Sequence, residues 1–242
     1  MKTTTIKKLS IILFISVCIS SCGMDMFNRI DGNRNVVTQK RKISDDFTKV
    51  KVSSGIDLYL TQGSKNELVV EADENLHDII ITEVENGRLT IYSEKNIWRA
   101  KAKKVYLTVT AIEALKATSG SDVYSKNMLK VKDFDLSVNS GADVNITVEA
   151  DTITTSASSG ADLKVSGEAH THFSSASSGS SINAYALKSK NVTVKVSSGA
   201  DINIYASETI NARASSGGDI DYKGNPEIVN KKTSSGGSVS KR

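Results

Sequence analysis

The chain of 242 residues is long enough for one large domain or two small ones, and its 38% hydrophobic and 24% charged residues are typical of a globular protein rather than a disordered one. Three of its 31 basic residues lie within the first eight positions, so 28 basic residues remain against 27 acidic ones. Because this remainder is nearly neutral, the composition gives no support to nucleic-acid binding.

Residues 1–21 have the pattern of an export signal, in which a cationic start is followed by an apolar run, Leu9–Ile19, that is too short to span a bilayer. The signal ends in Ile19-Ser20-Ser21-Cys22, which resembles a bacterial lipobox. The resemblance implies cleavage before Cys22 and acylation of that residue, which would anchor the protein to a membrane through two or more acyl chains. The alternative is an ordinary signal peptide that is cut nearby, with Cys22 incidental.

Residues 22–42 show no clear hydrophobic period, and we predict that they form a flexible tether to a folded domain over residues 43–242. The first part of the domain, residues 43–117, is the less regular one and is predicted to cap one end of the fold, where apolar side chains and strand edges would otherwise be open. Strands are predicted in this part at 67–72, 79–84, 89–92 and 105–110.

Two connections in this part have recognisable turn signals. Asn86-Gly87 favours a tight hairpin turn, since both residues tolerate a positive φ. Residues 73–77, Asp-Glu-Asn-Leu-His, are predicted to form a helical turn or a loop.

A five-residue motif, Ser-Ser-Gly-Ala-Asp at residues 158–162 and close variants elsewhere, recurs along the chain. From Gly120 onward its glycines are 18 to 21 residues apart. This period is too short for the repeat families built from two helices and fits one coil of a β-solenoid. Residues 118–242 are therefore predicted to form regular coils.

The alternation of side chains around the motif predicts which residues face the core. Apolar residues occupy every second position on both sides of each motif, which is the pattern of strands with one buried face. If this alternation continues through the motif, the serine before each glycine points inward and the aspartate points outward. The prediction of an inward serine applies to Ser140, Ser159, Ser178, Ser198, Ser216 and Ser235.

Three stretches and the serial motifs together resemble a known family. The stretches are FTKVKVSSGIDLYL at 47–60, VEADENL at 70–76 and NGRLTI at 86–91. In these the chain resembles the auto-transporter adhesin, head GIN domain family of Bacteroidetes envelope lipoproteins, from residue 47 to about residue 238. The resemblance implies an all-β fold, a single-stranded right-handed parallel β-helix, and a role in adhesion at the cell envelope.

The Gly-x-Asp column is the principal candidate site in the sequence. Structural corners are the favoured interpretation. Ser181 and Ser238 replace aspartate in two copies, and a serine hydroxyl can still form a hydrogen bond with backbone N–H groups of a turn. A calcium site between coils and a polar contact surface stay open as alternatives. The column comprises Gly55, Asp57, Gly120, Asp122, Gly141, Asp143, Gly160, Asp162, Gly179, Gly199, Asp201, Gly217 and Asp219.

No pattern predicts catalysis or a cofactor. The serines lack a G-x-S-x-G context, and the nearly constant coil length leaves no room for the long loops that build an enzyme cleft. His170 and His172 would share one strand face and could bind a metal, but no third ligand is evident and a turn or surface role is predicted for them. No aromatic row marks a sugar-binding track. Asp151-Thr152-Ile153 resembles a Bacteroidetes O-glycosylation sequon, with Thr152 as the acceptor.

We therefore predict a non-catalytic lipoprotein of the cell envelope, held at the outer membrane through a lipid on Cys22, on its surface or its periplasmic side. Its polar faces would meet a glycan or protein partner. Two alternatives stay open: a periplasm-facing structural or stress-related lipoprotein, and a β-helix enzyme that acts on carbohydrates.

Overall fold

A computed structural model describes residues 29–242. The predicted export signal and Cys22 lie outside the described residues. Within residues 29–242 the chain is built from β-strands, and its helical structure is limited to one 3-10 turn, Glu74–Leu76, at the position where a helical turn or loop is predicted.

The strands are β1 Arg29–Asp31, β2 Val36–Arg41, β3 Lys49–Val52, β4 Asp57–Gln62, β5 Glu67–Asp73, β6 Ile80–Glu85, β7 Arg88–Ser93, β8 Asn96–Trp98, β9 Lys103–Val109, β10 Ala114–Ala117, β11 Asp122–Ser125, β12 Leu129–Asn139, β13 Asp143–Ser158, β14 Asp162–Ala176, β15 Ser181–Val196, β16 Asp201–Ala214, β17 Asp219–Lys223, β18 Ile228–Thr233 and β19 Ser238–Lys241.

Parallel pairing from one coil to the next defines the fold. The paired residues of β13 each lie opposite the residue 19 positions later in β14, as in Val144 with Leu163 and Ile153 with His172. The same parallel pairing continues through β15, β16 and the last strands. The stacked coils form a β-solenoid of about seven turns. The predicted fold class and coil length are confirmed.

The coils of the N-terminal part do not stack in chain order. β3 lies between β7 and β10, and β4 lies between β9 and β11, so the coil that contains Gly55 is an inner one. The coil formed by β7 and β9 is covered by antiparallel strands: β6 pairs with β7, and β5 pairs with β9. The predicted hairpin turn joins β6 to β7, with positive φ at both Asn86 and Gly87.

The predicted tether is corrected over its second half. β2 pairs along its whole length, residues 36–41, with β5 in an antiparallel ladder, and β1 pairs with β8. The guanidinium of Arg41 donates hydrogen bonds to the carbonyl oxygens of His77 and Ile80. These residues thus belong to the folded cap. The sequence pattern does not reveal them because β2 is exposed at four of its six positions and has no apolar alternation.

The motif folds as a tight turn, which corrects the predicted direction of the serines. Ser159 and Gly160 have φ values of 56° and 68°, so two successive residues are left-handed, as in a type I′ turn. Both are exposed. Because the alternation of an extended strand does not pass through left-handed residues, the motif serines Ser140, Ser159, Ser178, Ser198, Ser216 and Ser235 face solvent rather than the core.

Hydrogen bonds between coils satisfy the backbone of these stacked turns. Gly141 N–H donates to the carbonyl of Ser159 at 3.1 Å, and Gly160 N–H donates to that of Ser178 at 3.2 Å. From Gly120 to Gly217, a small buried residue follows each motif glycine, as Ala142 and Ala161 do. The turn is therefore a repeated corner whose polar backbone is paired along the axis.

A second corner in each regular coil shifts the buried positions by one residue. Ala150 and Ile153 are both buried, as are Ala169 and His172, so the step across this corner is three residues instead of two. Nearby, Gly167 has a φ of 114°, and a Cβ atom there would collide with the carbonyl oxygen of Val148. The rest of the core is a continuous column of Ile, Val, Leu and Ala side chains.

Candidate functional site: the face that follows the Ser-Gly turn

The predicted corner glycines occupy equivalent places in the stack. Their φ values lie between 66° and 71°, which is the left-handed region that glycine adopts without strain. At most of these positions, a Cβ atom would meet nothing within 4 Å, so the backbone conformation is the reason for glycine there. The glycines concerned are Gly55, Gly120, Gly141, Gly160, Gly179, Gly199 and Gly217.

The aspartates two positions after these glycines form a ladder along the solenoid axis. Asp122 pairs with Asp143, and Asp143 pairs with Asp162, in adjacent parallel strands about 4.8 Å apart. The ladder begins with Asp57 beside Lys104 and continues as Ser181, Asp201, Asp219 and Ser238. We call the face that carries this ladder, and the side chains two and four positions further along each strand, the turn-following face.

Partial burial, and then repulsion between neighbouring carboxylates, raise the pKa of two of these groups. The pKa of Asp143 is raised by desolvation and then by the neighbouring Asp122 and Asp162. The pKa of Asp57 is raised by desolvation and by Asp122, against the opposing effect of Lys103. Within residues 29–242, only Asp219 of this ladder accepts a side-chain hydrogen bond, from Ser238 Oγ at 2.5 Å. The other carboxylates of the ladder are exposed or half-exposed.

Three tyrosines form a row beside the ladder. The ring of Tyr59 stacks on that of Tyr106, with centroids 5.1 Å apart, and on that of Tyr124, with centroids 5.6 Å apart. Lys126 Nζ lies 4.8 Å from the centre of the Tyr59 ring, within the range of a cation–π contact. The sequence predicts no aromatic row that marks a sugar-binding track, whereas the fold brings these three rings into one row.

The row ends at Tyr124, whose second face is turned towards the next coil. Tyr59 covers one face of the Tyr124 ring, and Tyr124 pairs on its other side with Asn145, which is much shorter. A depression of about 350 Å³ begins there. Its polar lining comprises Tyr124, Asp143, Asn145, Asp162, Lys164, Ser181 and Asn183.

The lining of this depression offers one aromatic wall and a dense set of hydrogen-bonding groups. Asp143 and Asp162 provide acceptors, Asn145 and Asn183 provide both donors and acceptors, and the Lys164 ammonium donates. Tyr124 is 37% exposed, so part of its ring is available for stacking. This is the chemistry needed to hold a polyhydroxylated ligand: a ring face for its C–H groups and paired polar atoms for its hydroxyls.

The sequence holds one signal that could have revealed part of the tyrosine row. Tyr59 and Tyr124 both lie four positions after a motif glycine, so an alignment of the repeats places them in one column. Tyr106 follows no such motif. It joins the row only because β9 pairs with β4, a pairing that chain order does not indicate.

The two histidines do not share a face, contrary to the prediction. His170 is exposed at the second corner, and His172 is fully buried in the core. Thr155 donates a hydrogen bond to Ser174 Oγ at 2.9 Å, so the 2.8 Å contact of Thr155 Oγ1 with His172 Nε2 requires the proton on that nitrogen. Nδ1 is buried without a hydrogen-bond partner. Desolvation lowers the pKa of His172 to about 3.

Within residues 29–242 no group of three or more histidine, cysteine, aspartate or glutamate side chains converges as a metal site. The aspartate ladder is a line, whereas a calcium ion needs oxygen ligands around it. The same part of the chain contains no helix with the length and hydropathy of a membrane span. The proposed acceptor Thr152 lies half-buried beside the second corner, paired with Asp133 and Thr171.

Comparison with protein families agrees with the resemblance seen in the sequence. The family described as "Putative auto-transporter adhesin, head GIN domain" matches residues 46–226, which is most of the chain. No curated protein matches the chain at a significant level.

Several crystal structures share this fold. A "putative adhesin" from Bacteroides fragilis superposes with a TM-score of 0.82 at 21% identity, covering 88% of this chain and 100% of its own. A protein from Parabacteroides distasonis, described as a "putative lipid binding protein", has a TM-score of 0.72 at 25% identity and covers 88% of this chain and 99% of its own. A "putative adhesin" from Parabacteroides merdae has a TM-score of 0.67 at 20% identity, with 89% and 99% covered.

Proposed function

Because this chain belongs to the auto-transporter adhesin, head GIN domain family, we propose that it is a non-catalytic, adhesin-like module that binds glycans at the cell envelope. The observation that carries the proposal is the depression beside Tyr124, where an aromatic ring ends a stacked row and meets a cluster of carboxylate and amide side chains. The solenoid serves as a rigid support for this site.

A saccharide suits this surface better than a lipid chain. A pyranose ring can stack its C–H face on Tyr124 while its hydroxyl groups donate to Asp143 and Asp162. An acyl chain would instead need an apolar cavity that excludes water. The depression is shallow, so each contact is weak and useful affinity would come from several sites acting together.

The site can be tested with a glycan array and purified protein. We expect the wild type to bind a subset of saccharides, and Tyr124→Ala to lose these signals at least tenfold, because stacking and a wall of the depression are both removed. Tyr92→Ala, on β7 away from the depression, is the matched control and should bind as the wild type does. Equal binding by Tyr124→Ala and the wild type would reject the site.

The envelope location rests on the lipobox at Cys22, which implies an N-terminal lipid. Metabolic labelling with a palmitate analogue should mark the wild type and not Cys22→Ser. Protease treatment of intact cells should then degrade the folded domain. If lysis is required before the domain becomes accessible, the protein faces the periplasm and the adhesive role fails.

Modification of Thr152 is a separate part of the proposal. Its half-buried side chain lies beside the second corner, next to the exposed Asp151. Intact-mass and peptide analysis of protein from its native host should show a glycan on the peptide that contains Thr152, and the added mass should vanish in Thr152→Val. An unmodified peptide would contradict the sequon.

A further inference from the structure

A column of basic side chains lies on the face that precedes the Ser-Gly turn. Lys195 pairs with Arg213, and Arg213 pairs with Lys232, in three successive parallel coils. All three side chains are exposed. They are about 4.8 Å apart from coil to coil, so they form a straight line roughly 10 Å long, parallel to the axis. We call these three residues the basic row.

The same column remains free of acidic residues over its whole length. Towards the N-terminal end it continues through three serines to two further lysines. In stacking order from that end it reads Thr90, Lys51, Lys116, Ser137, Ser156, Ser175, Lys195, Arg213 and Lys232. Five of its nine members are cations.

The protein itself does not neutralise the basic row. Within residues 29–242, none of its three members takes part in an ion pair. The neighbours on one side are the serines Ser197, Ser215 and Ser234, and on the other side Thr193, Asn211 and Asn230. Stacked like charges repel one another, so the row lowers the stability of the fold unless something outside it supplies negative charge.

The row also borders a depression of about 460 Å³, a volume sufficient for small oxyanion groups. Lys195, Arg213 and Lys232 line it together with the hydroxyl-bearing Ser177, Ser197 and Ser215. Serine hydroxyls and the planar Arg213 guanidinium are both suited to the oxygens of a sulfate, phosphate or carboxylate.

The charges are segregated around the turn. The aspartate ladder lies two positions after each motif glycine, whereas the basic row lies four positions before it. The near neutrality of the whole composition therefore hides an acidic face and a basic one. An anionic ligand would be attracted to the basic row and kept away from the opposite side of the corner.

From this arrangement we infer that the basic row binds a linear anionic polysaccharide, with its charged groups lying along the solenoid axis. Oxyanions placed along a chain match a line of cations, and hydroxyl and amide side chains on both sides suit the uncharged parts of sugar rings. A single-stranded nucleic acid would also need several aromatic platforms for its bases, but among residues 29–242 only Phe173 is an exposed aromatic residue near the row. The inference is independent of the site at Tyr124, since the two lie on different faces.

The test uses purified protein and dextran sulfate, dextran phosphate and polygalacturonate, with neutral dextran as the uncharged probe. The variant Lys195→Gln/Arg213→Gln/Lys232→Gln removes the row. The control Lys42→Gln/Lys95→Gln/Lys101→Gln removes the same charge from exposed positions in the N-terminal part. Thermal unfolding of both triple variants establishes that they are folded.

We expect the wild type to bind at least one anionic dextran or polygalacturonate, and to bind neutral dextran at least tenfold more weakly. Binding should weaken as salt rises, since bound counterions are released on association. The row variant should lose roughly tenfold or more in affinity and show a shallower salt dependence, whereas the control and Tyr124→Ala should stay within about twofold of the wild type. The polymer that binds best identifies the anionic group.

Three results would overturn the inference: no binding of any anionic polymer, equal binding by the row variant and the control, or equal binding of neutral dextran. Two further probes cover other partners. These are phosphatidylglycerol vesicles and a DNA oligonucleotide. If either binds more tightly than all the polysaccharides, and does so through the basic row, the inference is rejected in favour of a membrane or a nucleic acid as the partner.

Discussion

Replacing His172 by valine should remove a large part of the acid sensitivity of this fold. His172 stacks between Ile153 and Val192 in adjacent coils, so valine fits the column, and the Thr155–Ser174 hydrogen bond stays in place. The imidazole is fully buried with Nδ1 unpaired, and burial lowers its pKa from 6.5 to about 3. Protonation would place a charge in the core with no acceptor for the new N–H group.

The sign and size follow from proton linkage. In the folded state His172 stays neutral down to a pH of about 3, whereas in the unfolded state it is protonated below about 6.5. Its contribution to stability is thus fully present above pH 6.5 and declines as the pH falls towards 3, by about 1.4 kcal/mol per pH unit. Between pH 6.5 and 4.5 the wild type should lose on the order of 3 kcal/mol relative to the valine variant.

The assay is urea unfolding, followed by circular dichroism at pH 7.5, 6.5, 5.5 and 4.5, for the wild type, His172→Val and the exposed control His170→Val. Acid effects that arise from other groups are common to all three proteins, so the informative quantity is the difference between their curves. As the pH falls, the free energy of unfolding should decrease equally for the wild type and His170→Val. For His172→Val it should decrease less. Parallel curves for all three would refute the reasoning.

Four other substitutions test the corners and the aspartate ladder, with stability measured by thermal and urea unfolding. Gly167→Ala should lower the free energy of unfolding by at least about 2 kcal/mol, because its Cβ would collide with the Val148 carbonyl. Gly160→Ala should lower it by about 1–2 kcal/mol from its positive φ alone. Equal losses in the two variants would contradict the collision. Ser159→Gly should be neutral or stabilising by up to about 1 kcal/mol, since glycine relieves a φ of 56°, and a clear loss would show that the hydroxyl matters. Asp143→Asn should raise the melting temperature at pH 7 and leave it unchanged near pH 3. The raised pKa of Asp143 means that its ionised form is disfavoured in the fold, so stability is lost as the pH rises through that pKa. An unchanged melting temperature at pH 7 would exclude repulsion in the ladder.

The coil repeat could be predicted from the sequence because two independent periods agree. The spacing of the glycines sets the coil length, and the alternation of apolar residues sets the buried face. Both depend on local geometry that repeats from coil to coil. The apolar residues on either side of the turn are therefore predicted correctly, as Ala157 and Leu163 illustrate.

The errors occur where the chain leaves that geometry. Ser159 faces solvent because it and Gly160 are left-handed, and His172 is buried because the second corner skips one position. The complete tyrosine row could not be predicted for another reason, which is that Tyr106 and Tyr59 become neighbours only through a stacking order that differs from chain order. Contacts between coils that are out of sequence order leave no periodic signal in a single sequence.

The most direct test of the central claim is the capture of a labelled saccharide by intact cells, using the best ligand from the glycan array. Cells that carry the wild-type protein should bind it, cells that carry Tyr92→Ala should bind equally, and cells that carry Tyr124→Ala should bind at least tenfold less at equal protein levels. Equal capture by the Tyr124→Ala cells, or capture by none of the three, would contradict an adhesin-like module that binds glycans through this face.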